Sequence, residues 1–148
     1  MTLRLLFVSL TSLAIVVSCS PTRDTTNNKS AIEQQEIIIN HQIPWLETLN
    51  QRDNHYIIFV YSETCGYCHD MMDEIIDFAK SEILPTYFIN TQNCEVPIIQ
   101  ETKENIADIS ELGILGTPSI LEIENKVAIR NIAGIDKCLS FLIDKRIS

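Results

Sequence analysis

HYIIFVYSETCGYCHDMMDEIIDFAK, residues 55–80, carries two structural periods one after the other. His55 to Tyr61 is almost continuously apolar and rich in β-branched and aromatic side chains, the composition of a strand buried on both faces in the middle of a sheet. After Ser62-Glu63-Thr64 the period changes. Met71, Met72, Ile75, Ile76, Phe78 and Ala79 make one apolar face of a helix that reaches about Lys80. A strand of this kind feeding a helix opens an α/β unit, and Cys65-Gly66-Tyr67-Cys68 stands at the joint.

Two thiols separated by two residues on a first helical turn can close a disulfide. The first of them also faces the unpaired N–H groups of that turn, which together with the helix dipole stabilise a thiolate and draw the thiol below its usual pKa of about 8.5. Cys65 is thus expected to be the nucleophile. Cys68, one turn in and more shielded, is expected to attack the mixed disulfide formed at Cys65 and release the substrate. His69 reads equally well as positive charge beside the pair and as a solvated helix residue.

Working outward, Glu36 to His41 (EIIINH) has the β-branched content of a short strand, and Pro44 can open a helix with Trp45, Leu46 and Leu49 on one face. Pro85 precedes a further strand, Thr86 to Asn90. Residues 101–112 place Ile106, Ile109 and Leu112 at intervals of three among acidic residues, the pattern of a short surface helix. Gly113 and Gly116 interrupt that pattern before Thr117-Pro118. Ser119 to Glu124 and Lys126 to Ile132 read as a hairpin about Asn125, and Asp136 to Lys145 as a closing helix with Leu139, Leu142 and Ile143 on its core face. The expected order is β-α-β-α-β-α-β-β-α, with parallel early strands and an antiparallel final pair. Trp45, Met71 and Met72 are expected core residues.

The combination of a buried strand, CxxC, a helix, then Leu112-Gly-Ile-Leu-Gly-Thr117-Pro118, a hairpin and Ala133-Gly134 resembles the thioredoxin superfamily over almost all of residues 36–148. The resemblance implies an α/β fold of three layers, a mixed sheet with flanking helices. It also implies a cis peptide bond at Pro118, with Thr117, Pro118, Gly66 and Tyr67 contacting substrate beside the Cys65–Cys68 pair, the backbone of Thr117 in an extended, strand-like way. Thr64-Cys-Gly-Tyr-Cys-His69 is similar to the periplasmic disulfide isomerases of the DsbC type. Pro118 follows Cys65 by only 53 positions, which leaves no space for the helical insertion of those enzymes. Phe59 stands where cytoplasmic thioredoxins have a buried Asp that assists proton transfer; no obvious substitute carboxylate exists other than Glu63, which reads mainly as an exposed loop charge.

The remaining sequence bears on location and partners. Of 148 residues, 45% are hydrophobic, and eleven Lys and Arg oppose twenty Asp and Glu for a formal charge of −9. That balance, with no basic stripe, argues against a nucleic-acid partner. Residues 1–18 read as an export signal, with an uncharged, largely apolar run from Leu5 to Val17. Val16-Val17-Ser18-Cys19 resembles a bacterial lipobox, which implies lipid on Cys19 and a protein anchored to a bacterial membrane in the cell envelope, facing the periplasm or the exterior. Residues 19–30 have the composition of a flexible tether, and residues 31–148 that of the folded domain. Exported proteins bearing Cys and an envelope redox partner are the expected partners, with no metal and no cofactor beyond the protein's own dithiol. A thioredoxin-fold docking module without catalysis and a c-type cytochrome using Cys65-Gly-Tyr-Cys68-His69 are the competing readings. Cys94 and Cys138 remain. They are expected to be unpaired, because a bridge needs Cα atoms within about 7 Å and the resembled fold sets these positions over different parts of the sheet.

Overall fold

The computed structural model describes residues 25–148; the expected export signal and the expected lipidation of Cys19 lie outside the described residues. The elements are α1 (Thr25–Asn40), β1 (His55–Tyr61), α2 (Gly66–Lys80), β2 (Thr86–Asn90), β3 (Ser119–Glu124), β4 (Val127–Ala133) and α3 (Ile135–Ile147). The strands form one mixed sheet in the order β2-β1-β3-β4. β1 runs parallel to β2, whereas β1 with β3 and β3 with β4 are antiparallel. The result is an α/β domain with a thioredoxin-like fold.

β1 sits inside the sheet because its apolar residues serve both faces. Ile57, Phe59 and Tyr61 point to one side, where Met71, Ile75, Ile76 and Phe78 of α2 and Phe141 and Leu142 of α3 complete a core. Tyr56, Ile58 and Val60 point to the other side, toward Trp45, Leu49, Leu112 and Ile114. Cys138 lies in the first core and Cys94 packs against the second, and all four cysteines of the described residues are free. The β3–β4 hairpin turns at Asn125 and Lys126, both with positive φ (50° and 67°), the conformation of a tight two-residue turn that matches strand twist.

Ile143, expected on the core face of the closing helix, is 54% exposed, and Phe141 takes that face with Leu142. Three expectations of secondary structure also need correction. Glu36 to Asn40 belongs to α1 rather than to a strand, and His41 lies in the turn that follows. Ile37 and Ile38 pack against the first core while Ile39 is exposed, so burial here follows a helical pattern. No Pro or Gly interrupts the chain between Pro21 and Pro44, and α1 therefore extends back to Thr25, six residues into the stretch read as tether. The expected edge strand shrinks to one bridge, Gln42 with Phe88, closed by Ile43 N–H to the Phe88 carbonyl and Phe88 N–H to the His41 carbonyl. Second, Pro44 opens only a single 3-10 turn, Trp45–Glu47. Third, residues 101–112 form no helix beyond the 3-10 turn Ile109–Glu111. Ile106 instead exchanges both backbone hydrogen bonds with Ala128 at the edge of β4, which takes the groups a helix would use. The helices thus cover one face of the sheet, and irregular chain covers the other.

Candidate active site

The site forms where β1 ends and α2 begins. Cys65 is the N-cap of α2, with extended backbone, and its sulfur accepts a hydrogen bond from the Cys68 N–H at 3.2 Å. A sulfur in the place usually held by Ser or Asp meets the positive end of the helix directly. From the other side, Cys65 Sγ lies 3.5 Å from the carbonyl oxygen of Thr117, and the Thr117–Pro118 peptide bond is cis. The structure therefore brings Cys65, Cys68, Thr117 and Pro118 together from opposite ends of the domain sequence. Gly66 and Tyr67 lie on the outer surface of the same turn, Tyr67 with 65% of its area exposed.

The two thiols have opposite environments. Partial burial pushes the Cys65 thiol up, but hydrogen bonds from the Cys68 and Thr117 side chains and from the N–H groups of Cys68 and Tyr67 outweigh it and leave Cys65 below its ordinary value. Cys68 is only 1% exposed. Burial, together with the neighbouring Cys65, pushes its thiol up to about 11. A more acidic outer thiol over a less acidic inner one makes Cys65 the more readily ionised of the pair.

Beneath the pair the core is apolar. Phe59 is fully buried and stacks on Tyr61 with ring centroids 5.9 Å apart. Cys138, also fully buried, places its sulfur 3.9 Å from the Pro118 carbonyl oxygen, which also accepts the Gly134 N–H at 2.9 Å. Burial, with an added contribution from the Cys68 charge, pushes the Cys138 thiol up to about 12, so it serves packing rather than exchange.

A cavity of about 270 Å³ opens beside Cys68 between α1 and α2, with Tyr61, Glu63, His69 and Asn90 on its walls. Glu63 is exposed, but its carboxylate accepts a 2.8 Å hydrogen bond from Nδ2 of buried Asn90. His69 donates from Nε2 to the Glu63 carbonyl oxygen at 2.8 Å, since a carbonyl can only accept. His69 thus braces the 62–64 loop and points away from the role of an isolated solvated residue. Sequence reasoning missed Asn90. Its signal was a polar side chain closing the apolar run Tyr87-Phe88-Ile89 at the pole where the CxxC lies.

Fold and site together define a class: a thioredoxin-like α/β domain with a dithiol at a helix N-terminus, set against a cis-proline loop. No family model matches the chain, and no curated protein matches it in sequence. Among solved structures, chains of low sequence identity are similar to it. Thioredoxin f from spinach chloroplast (long form) is 20% identical over 76% of this chain and 93% of its own, with a TM-score of 0.45. Thioredoxin f2 of Chlamydomonas reinhardtii is 18% identical over 72% of this chain and 96% of its own, with a TM-score of 0.48. The J-Trx1 fragment of ERdj5 is 17% identical with a TM-score of 0.46; 74% of this chain is covered, and the chain spans about half (53%) of that fragment.

Proposed function

We propose that the protein is a thiol-disulfide oxidoreductase that exchanges disulfides with exported proteins and is held to a bacterial membrane by lipid on Cys19. The observation that carries the chemistry is the N-cap position of Cys65, its sulfur bonded to the Cys68 N–H and 3.5 Å from the Thr117 carbonyl oxygen. In the reducing direction the Cys65 thiolate attacks one sulfur of a substrate disulfide, and the other substrate sulfur leaves as a thiolate and takes a proton. Cys68 then loses its proton and attacks the Cys65 sulfur of the mixed disulfide. The products are a substrate dithiol and a Cys65–Cys68 disulfide, which a dithiol redox partner in the envelope reduces again. The same steps run backward oxidise a substrate. The reduction potential sets the direction: a value near about −270 mV favours reduction and one near about −120 mV favours oxidation, and equilibration against glutathione buffers measures it.

Reduced protein is expected to cleave hydroxyethyl disulfide, and Cys65→Ser to abolish the reaction; full activity in that variant would sink the assignment. Cys68→Ser is expected to accumulate a mixed disulfide at Cys65. Attachment is tested by fractionating cells that express Cys19→Ser, which should move the protein out of the membrane fraction. The cytochrome reading loses support because a haem thioether at Cys68 would need room for the macrocycle beside its sulfur, whereas Cys68 is 1% exposed within the first core and the cavity beside it holds only about 270 Å³. A docking module does not require the asymmetry between the two thiols.

A further inference from the structure

The second step of the exchange needs a proton to leave the more enclosed of the two sulfurs. Burial, together with the neighbouring Cys65, pushes the Cys68 thiol up to about 11. In the mixed disulfide Cys65 carries no charge and takes no proton from it. Ionisation of Cys68 ahead of the attack would leave only about one molecule in 10,000 reactive at pH 7. Beneath the sulfur the packing is apolar, with Phe59 and Cys138 fully buried. Polar walls begin at the cavity of about 270 Å³ beside it.

Among the described residues, the titratable groups on those walls are Tyr61 from β1, Glu63 from the loop after β1, and Cys68 and His69 from α2; α1 and β2 add the neutral Gln35 and Asn90. Tyr61 is no acceptor, because burial and the Glu63 charge push its phenol up and keep it protonated. His69 commits Nε2 to the Glu63 carbonyl oxygen. The Glu63 carboxylate is held in turn by buried Asn90, whose Nδ2 donates to Oε1 at 2.8 Å while its Oδ1 accepts the Gln92 N–H at 3.0 Å. Asn90 uses one carboxylate oxygen, which leaves the other for a proton. Glu63 is also exposed, so it meets the cavity on one side and solvent on the other. A cavity of this volume with amide, imidazole and carboxylate groups on its walls admits several waters.

We propose that Glu63, held in place by Asn90, accepts the Cys68 proton through water in the cavity as Cys68 attacks the mixed disulfide. The proposal rests on the exchange function above and adds the fate of the proton. The Cys68 S–H bond breaks as the Cys68–Cys65 bond forms. The bond between Cys65 and the substrate sulfur breaks with its electron pair going to the substrate, which leaves as a thiolate and takes a proton from solvent. Over the whole exchange the dithiol gives up two electrons and the substrate disulfide gains them, and Glu63 returns its proton to solvent. Asn90 acts only through Glu63, as a positioning residue. The proton thus leaves sideways past the 62–64 loop, and the core under the pair stays apolar.

The test follows the mixed disulfide itself. Reduced, full-length protein is mixed with hydroxyethyl disulfide at concentrations raised until decay limits the rate, and rapid acid quenching with mass spectrometry separates formation of the Cys65 adduct from its decay. At pH 7, Glu63→Gln keeps an oxygen for Asn90 but accepts no proton; it should slow decay by at least about tenfold and leave formation within about twofold of wild type. Its decay should rise close to about tenfold per pH unit, as for a thiol that ionises unaided, and approach the flatter wild-type profile in alkali. Asn90→Ala, its folding checked by circular dichroism, should slow decay less, and adding it to Glu63→Gln should slow decay no further; further slowing would overturn the positioning role. A spectator Glu63 predicts the opposite sign, since its charge opposes ionisation of Cys68 and Gln would speed decay. Decay in Glu63→Gln that is faster than wild type or within about twofold of it overturns the proposal and leaves the exchange function standing, as does slowing by His69→Gln in its place. Wild-type protein that forms neither the adduct nor a Cys65–Cys68 disulfide overturns the exchange function, and this proposal with it.

Discussion

The difference between the two site thiols can be measured directly by exposing reduced wild-type protein to limiting iodoacetamide at pH 7. Cys68, with its thiol at about 11, then has about one molecule in 10,000 ionised. A thiol with a pKa of 9.0 would have about one in 100, and Cys65 lies below 9.0, so the thiolate populations differ by more than about 100-fold. The less acidic thiolate is the better nucleophile. Two pKa units at a Brønsted slope of about 0.45 return roughly eightfold, which leaves Cys65 faster by more than about tenfold. Burial of the Cys68 sulfur widens the gap further. Tandem mass spectrometry of the peptide containing both residues reads the order of labelling, and the pH profile at Cys65 should reach half its plateau below pH 9.0. Labelling of Cys68 within threefold of Cys65, or a Cys65 profile with its midpoint above that pH, would refute the N-cap account of the nucleophile.

Two further substitutions test the scaffold. A Cβ on Gly113 would stand 2.7 Å from both the Pro97 carbonyl oxygen and Cγ2 of Ile99, so Gly113→Ala must displace the 97–99 backbone and should cost about 1–3 kcal/mol in urea denaturation; unchanged stability would contradict that packing. Glu122, 1% exposed, meets Lys145 Nζ at 2.6 Å, His55 Nε2 at 2.8 Å and Arg130 Nε at 3.6 Å, and Glu122→Gln should cost about 2 kcal/mol, discounted from the usual 3–5 because those cations reach solvent. Burial pushes the Glu122 carboxyl up, but hydrogen bonds from Lys145 and His55 and the charges of Lys145 and Arg130 outweigh it and hold it below 4.5. Its stabilisation is therefore present above that pH and lost as pH falls through the lower folded value, so thermal melts of wild type and Glu122→Gln should converge in acid. Melts that stay parallel down to about pH 2 would refute the assignment.

The parts of this protein legible in its sequence are those written in local pattern. β1, the CxxC and α2 occupy one unbroken stretch, and the β3–β4 turn is marked by its own residues. α1 was misread because three consecutive isoleucines satisfy a strand and a helix equally over six residues, and only contact with α2 decides between them. Residues 101–112 were misread because spacing by three is also met by an extended path with one 3-10 turn, which pairing of Ile106 with Ala128 selects. Glu122 reads in sequence as a solvated charge on a strand. It is buried because His55, Arg130 and Lys145 converge on it from β1, β4 and α3, and no local pattern records that meeting. The same holds for Asn90 and Glu63, which lie on different strands' ends and meet only through the parallel β1–β2 pairing.

The connection from Thr91 to Pro118, which holds no α-helix, also has a consequence for how the chain acquires its reactivity. β1, α2 and β2 close through nearby contacts, as do β3 and β4, whereas the ladder joining the halves pairs His55 with Glu124 across most of the domain. Closing that long loop costs chain entropy before any contact repays it, which makes the β1–β3 ladder the late event in folding. Cys65 belongs to one half and Thr117 to the other. A partly folded chain therefore holds its two thiols on a helix end before the Thr117 loop reaches them, and under the proposed exchange function competence would arrive with the last ladder.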